Sequence, residues 1–219
     1  MKKILSLLVA AFFLSLCGSD AQAQSFDGGV TAGIVTSQIN GDGYAGFHQI
    51  GWTSGFFGRI PVDETSSWQF ELKYTLMGAH SDTKEIEYGL NPMDIRLHYV
   101  ELPLMYRYNL SELNINGRHF DFITLELGLS GDFLLRGTQS ANNESNFENT
   151  SWLRFSMTGN LGMQFDINDH WGINIRSMNS ITPCRLRPGF GVLRLVHYYN
   201  IALQATVVYT IIHAKTAQR

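Results

Sequence analysis

Charge is scarce in this 219-residue chain. Only 16% of its residues are Asp, Glu, Lys or Arg, against the usual quarter. A disordered chain would show high charge and few aromatics, whereas aromatics here reach 12%. Neither sign dominates, and a formal net charge of −3 excludes a strongly basic nucleic-acid binder. Long apolar runs are missing after residue 16. A bundle of transmembrane helices, each needing roughly 20 consecutive apolar residues, is therefore excluded. Cysteine is nearly absent, with Cys17 and Cys184 alone, and proline is limited to five residues. What remains abundant is glycine, at 21 residues, in a length that suits one domain.

The first 23 residues read as a secretory signal peptide. Lys2 and Lys3 form a positive start, Ile4 to Leu16 an apolar stretch too short to span a bilayer as a helix, and Ala21-Gln22-Ala23 a cleavage site. The organisation expected is signal peptide 1–23 followed by a domain over 24–219. A lipid-attachment signal at Cys17 would want a small residue before it, and Leu16 is large. After cleavage Cys184 is the only thiol, so export proceeds without an internal disulfide. Stability must then come from a large core or from a membrane.

The apolar residues of the remaining chain recur with a period of two. Between Tyr199 and Ile212 the odd positions include Ile201, Leu203, Ala205, Val207 and Tyr209, while the even ones include Asn200, Gln204, Thr206 and Thr210. Successive side chains on a strand point to opposite faces, so one face is apolar and the other polar. The same alternation runs through Ile50–Ile60, Trp68–Leu76, Val100–Tyr108, Ile123–Leu129, Leu153–Phe165 and Trp171–Ile175, and more weakly through 27–36. Eight strands result, most as long as the 9–11 residues a tilted strand needs to cross a bilayer.

The connections alternate in length. Long ones fall at 37–47, 80–93, 136–151 and 179–196, short ones at 62–66, 110–116 and 167–170. With both chain ends on the short-turn side, every long loop lies opposite, as in outer-membrane barrels with short periplasmic turns. Arg187-Pro188-Gly189 could turn a hairpin extending the last two strands, with Leu193 and Leu195 in outward register.

Two soluble folds also give period-two strands: a sandwich, and a barrel with its apolar face inside. Charge and tryptophan placement distinguish them. The polar face holds Arg59, Lys73, Arg107, Arg154 and Arg176 against Glu71, Glu101, Glu126, Asp132 and Asp166. An enclosed lumen needs such pairing, because an unpaired buried charge is costly. Arg96 and Asp121 break the face rule near strand ends. Trp52 and Trp152 are expected at the outer rim and Trp68 and Trp171 at the periplasmic rim, all facing lipid as aromatic girdles. A narrow eight-stranded barrel is filled by its own side chains, Met105 and Phe57 among them, offset by inward glycines such as Gly55 and Gly128. The expectation is a plugged, ion-paired interior.

These residues bear a likeness to a known family. Gly29-Val30-Thr31-Ala32-Gly33-Ile34, Gly55-Phe56-Phe57-Gly58 and Phe70 to Gly78 resemble segments of the PorT-like outer membrane beta-barrel domain family. Tyr99-Val100-Glu101-Leu102-Pro103-Leu104 is similar to its aromatic-x-Glu-hydrophobic-Pro-hydrophobic strand, a specific match because proline in mid-strand is disfavoured. The resemblance covers about residues 25–212. It implies an integral outer-membrane barrel of a Gram-negative envelope, with some members tied to secretion or gliding. Such barrels often end on an aromatic residue, whereas here a polar tail, His213 to Arg219, follows the last strand.

Chemistry is sparse. The histidines at 48, 80, 98, 119, 170, 197 and 213 show no metal-ligand spacing. Gly128-Leu129-Ser130-Gly131-Asp132 is not a nucleophile elbow. Ile175 to Ile181 faintly resembles a strand of outer-membrane lipid A deacylases, but no His adjoins Ser177 or Ser180 to activate it. Glu71 with Lys73 and Glu101 with Arg107 read as interior ion pairs. No catalytic, cofactor-binding or metal residues are assigned, and no cofactor is expected. The Asn- and Ser-rich 136–151 and the mixed-charge 80–94 read as solvated loops.

The fold expected is all-β, a closed antiparallel eight-stranded transmembrane β-barrel in the cell outer membrane. The function expected is non-enzymatic, either structural or accessory to secretion or surface interaction. Its partners would be outer-membrane lipid, the barrel-assembly machinery and secretion-system or surface proteins, with no nucleic acid and a monomeric state. A lipid-modifying hydrolase and a secreted soluble barrel binding an apolar ligand stay open as alternatives.

Overall fold

Only an extended chain puts Leu203 on one face and Gln204 on the other, and extended strands are what the alternating runs form. A computed structural model describes residues 26–41, 46–81, 93–115, 118–141, 144–145, 152–186 and 197–212. The expected signal peptide and most of the expected loop residues 82–92, 146–151 and 187–196 lie outside the described residues. Eight long strands form: β1 (Asp27–Asn40), β2 (Gln49–Pro61), β3 (Ser66–His80), β4 (Met93–Ile115), β5 (Arg118–Ala141), β6 (Phe155–Asp166), β7 (Trp171–Ser180) and β8 (Tyr199–Ile212). A two-residue strand, Glu144–Ser145, pairs onto the end of β5.

Each long strand is antiparallel to the next, and β8 pairs back onto β1. The sheet therefore closes and leaves no edge. A walk across the register from Gln38 passes Ile201, Asn179, Gly159, Leu129, Leu104, Phe70 and Gly58 and returns to β1 at Gly28. The stagger of about ten residues over eight strands is that of a narrow, tilted barrel filled by side chains.

The short turns carry their own chemistry. In the turn after β2, Asp63 accepts hydrogen bonds from the backbone N–H of Thr65 (2.8 Å) and Ser66 (2.6 Å) and from the Ser66 hydroxyl (2.5 Å). These donors hold its carboxyl down, to about 2. In the turn after β6, Asn168 Oδ1 accepts from His170 and Trp171 N–H, both at 2.9 Å.

Strand ends differ from the periodicity in one direction. β1 runs to Asn40 rather than 36, and β5 runs to Ala141 rather than stopping before 136. At the long-loop end Met93 still pairs with Ala141, because backbone pairing continues beyond the apolar belt. Pro103 sits in mid-β4 between the registered pairs Phe70–Leu104 and Lys73–Glu101, where its missing N–H removes a ladder bond.

The faces separate into two zones. Through the middle and the short-turn half, Phe56, Phe70, Leu72, Leu127 and Leu161 face outward and are exposed, while Lys73, Glu101, Arg107, Glu126 and Arg176 face inward and are buried. This polarity overturns the soluble-barrel alternative, which needs the apolar face inside. At the long-loop end the order reverses. Val35, Ile39, Met77, Ile95, Leu97, Tyr99, Leu134 and Met178 pack inside as one apolar cluster. Outside, Arg96 and Asp94 pair at 2.9 Å, with the Arg96 side chain 58% exposed. A bulge on β5, opposite His98–Tyr99, leaves both Leu135 and Arg136 exposed, as the extra residue of a bulge does.

Aromatic rings mark the edges of the outward belt. Trp52 stacks on Tyr74 (4.8 Å) toward the long-loop end. Trp68 meets Tyr106 (5.3 Å) and Trp171 meets Tyr209 (4.6 Å) toward the short-turn end. Trp152 is a correction: instead of facing lipid, it is buried in the apolar cluster under the Arg185 guanidinium (5.2 Å). It precedes β6 and is joined to Arg185 by an isolated bridge, so the strand's parity does not reach it.

Candidate functional site

The chemistry of the barrel collects on its inner wall, where alternate residues of neighbouring strands stand in rows. One row runs in register from Gly55 through Lys73, Glu101 and Asp132 to Ser156. Small residues make room within it and beside it. A β-carbon at Gly128 would come within 2.6 Å of the Met105 sulfur and 2.8 Å of its Cα, so glycine there lets the fully buried Met105 fill the lumen.

Arg176 is the hub. It donates to Glu71 at 2.8 and 2.9 Å and to Glu126 at 2.8 Å. Glu126 also meets Arg107 Nε at 3.0 Å and accepts from the Asn174 amide at 2.7 Å. Arg107 donates to Gln69 Oε1 at 2.8 Å, and the Gln69 amide donates to Glu71 at 2.7 Å, which closes a ring of side chains. Lys73 bridges this ring to the next level, 3.3 Å from Glu71 and 3.5 Å from Glu101, and donates to Gln204 at 3.1 Å. Asp132 accepts from the hydroxyls of Ser130 (2.7 Å) and Thr158. Fork-shaped guanidinium–carboxylate contacts of this kind are strong and geometrically demanding.

Most of the expected inward charges are here, with two corrections. Glu71 and Lys73 pair as expected, but Glu101 and Arg107 do not pair with each other. They lie six residues apart along β4, so each reaches across the lumen, Glu101 to Lys73 and Arg107 to Glu126. Arg154 is exposed rather than inward, because β6 begins only at Phe155. Arg59 and Asp166 lie half-buried toward the short-turn mouth, with Arg59 3.6 Å from Asp27. Gln69, Asn174 and Gln204 also belong to the network, as uncharged members. Their signal was position, as polar residues on the inward parity of otherwise apolar strands.

Ser177, from the segment resembling a deacylase strand, lies on the outward parity of β7 and meets the Asn179 amide at 3.2 Å. Among the described residues no group of three His, Cys, Asp or Glu is placed to hold a metal ion.

A closed antiparallel barrel with an apolar belt outside and ion pairs inside is a membrane-spanning barrel, since only closure satisfies every backbone group in hydrocarbon. Residues 22–184 match the outer membrane protein beta-barrel domain family, and the chain belongs to that family and resides in the outer membrane. No curated protein matches the chain in sequence. Among solved structures it is similar to Neisserial surface protein A, at 11% identity over 85% of this chain and 97% of that one, with a TM-score of 0.51. The attachment invasion locus protein of Yersinia pestis matches at 13% identity over 85% and 99%, with a TM-score of 0.49. The outer membrane protein AlkL matches at 10% over 92% and 97%, with a TM-score of 0.38. At such identities the likeness to the Neisserial protein speaks for the eight-stranded fold alone.

Proposed function

We propose that this barrel is a non-enzymatic outer-membrane protein whose lumen is closed to diffusion, acting as a structural or accessory element of the envelope. The buried network centred on Arg176 carries this reading. Its side chains reach from β3 to β5 and β7, and the cavity left beside them measures about 10 Å³, room for no more than about one water. The apolar cluster around Leu97 and Met178 lies above it as a second barrier.

The long connections face the cell exterior in this reading, with both ends of the barrel domain in the periplasm. Cleavage after Ala23 would precede insertion by the assembly machinery. The secretion or surface role rests on the likeness of β1 to β4 to the PorT-like barrels.

The test is electrical. Reconstituted in planar bilayers, the protein should leave the baseline flat. Steady conductance steps of uniform size would contradict a closed lumen.

A further inference from the structure

We propose that the outward face of β1 to β5 binds one phosphate-bearing lipid, with its headgroup on a cluster of arginines at the long-loop edge of the bilayer and an acyl chain in a groove below them. The groove has a volume of about 520 Å³, and Ala32, Ser54, Phe56, Leu72, Tyr74 and Val100 line its outward side. Ala32, Ser54, Tyr74 and Val100 stand in one register row across β1 to β4. The row spans three strand spacings, on the order of 14 Å. One leaflet of the hydrocarbon core is about 15 Å deep, so the groove suits an acyl chain. Phe56 and Leu72, opposite each other one step lower, wall it. Rows of this kind climb toward the long-loop end. Followed from Gly28 through Gly58, Phe70 and Leu104, the register regains β1 about ten residues higher, at Gln38. The Val100 end of the groove is therefore its upper end.

The headgroup end follows from charge. Beyond Val100 the next outward residues of β4 are His98 and Arg96. Arg136 stands opposite His98 and Thr138 opposite Arg96, which makes the two arginines diagonal neighbours on the exposed face. Arg154, also exposed, lies one strand further on, where its carbonyl accepts from the Leu134 N–H at 2.9 Å. Tyr74 and His98 share a hydrogen bond that fixes the imidazole between the groove and the arginines, and Trp52 stacks on Tyr74. Asp94 takes up one charge, paired with Arg96 at 2.9 Å. Three guanidiniums against that carboxylate leave the group net positive, at the level where the faces of the barrel exchange.

These features together select the ligand. A fatty acid brings a single negative charge, whereas a phosphate monoester brings about −1.5 to −2 and three acceptor oxygens. Guanidinium forks match phosphate bidentately. A soluble anion would meet the arginines but leave the groove unused, and a neutral lipid would fill the groove but leave the arginines unmatched. A lipid phosphate meets both, and its binding does not depend on whether the lumen conducts.

Native mass spectrometry of the full-length protein released from nanodiscs of phosphatidylcholine and phosphatidic acid, a phosphate-monoester lipid, tests this. One phosphatidic acid should be retained in preference to phosphatidylcholine. R96Q/R136Q, two exposed changes remote from the ion-paired lumen, should weaken that retention roughly tenfold, through lost charge-assisted hydrogen bonds. Asp94→Asn, which removes the competing carboxylate, should strengthen it. Ala32→Trp fills the groove from the lipid side and should weaken retention with strand content by circular dichroism unchanged. Added inorganic phosphate, which has no chain for the groove, should not displace the lipid. Equal retention of the two lipids, a preference that survives R96Q/R136Q or A32W, or displacement by inorganic phosphate would overturn the proposal.

Discussion

The middle of the barrel and its long-loop end use one backbone pattern with opposite chemistry. In the middle, Leu161 and Leu72 look outward while Glu71 and Arg176 look inward. Near the long loops, Arg96 and Asp94 look outward while Leu97 and Ile95 pack inside. Both regions alternate, apart from the bulge at Leu135–Arg136, so alternation reports the strand and not the surroundings. The surroundings are read from which face is apolar. An apolar exterior is stable only against hydrocarbon, and an apolar interior under a polar exterior is the arrangement of a protein in water. The level at which the faces exchange, near Tyr99, Leu134 and Met178, is where the bilayer ends.

Breaking the ionic middle should have the largest effect. Arg176→Met leaves Glu71 and Glu126 facing each other without their shared cation, and should cost about 3–5 kcal/mol. Urea titration of the protein folded in lipid vesicles measures it. The apolar end should respond to volume instead. Leu97 is fully buried, and Leu97→Ala should cost roughly 2–5 kcal/mol through the cavity it leaves, while Arg136→Lys at an exposed position should stay within about 0.5 kcal/mol. On the lipid face, Leu72→Arg, at a position 51% exposed within the apolar belt, should cost roughly 2–4 kcal/mol near mid-membrane. Arg96→Ala, in the polar exterior zone, should stay within about 1 kcal/mol, as an exposed ion pair does. If Leu72→Arg and Arg96→Ala cost the same, the two zones are not distinct.

The smallest effect concerns the short turn. Hydrogen bonds from Ser66 and Thr65 hold the Asp63 carboxyl down, to about 2. Because the folded value is lowered, its contribution is present above the ordinary carboxylate range and is lost as pH falls through about 2. Carboxyl NMR of Asp63 should show that titration, and Ser66→Ala should move it upward.

The strands were legible because each crosses the belt with its own alternation, and Tyr199 to Ile212 needs no partner to be recognised. Alternation also located Lys73, Glu101, Glu126 and Arg176 on the inner wall. It could not supply their partners, since Arg176 and Glu71 stand 105 positions apart and meet only when β8 closes on β1. The burial of Trp152 and Cys184 is not legible in the sequence for a different reason. They lie outside the long strands, where parity carries no information, and they are buried by the chain folding over the barrel end. The exchange of faces leaves parity unchanged on β4, where Leu97 and Glu101 share the inner face, so alternation alone does not report it, and on β5 the bulge at Leu135–Arg136 adds a shift of parity.

The boundary itself can be measured with spin labels. A nitroxide at Leu72 and another at Arg96, each in lipid bilayers, should respond oppositely to oxygen, which partitions into hydrocarbon, and to a polar nickel chelate, which does not. The label at 72 should be relaxed by oxygen and shielded from nickel, and the label at 96 the reverse. Equal nickel access at the two sites would contradict a bilayer that ends between them.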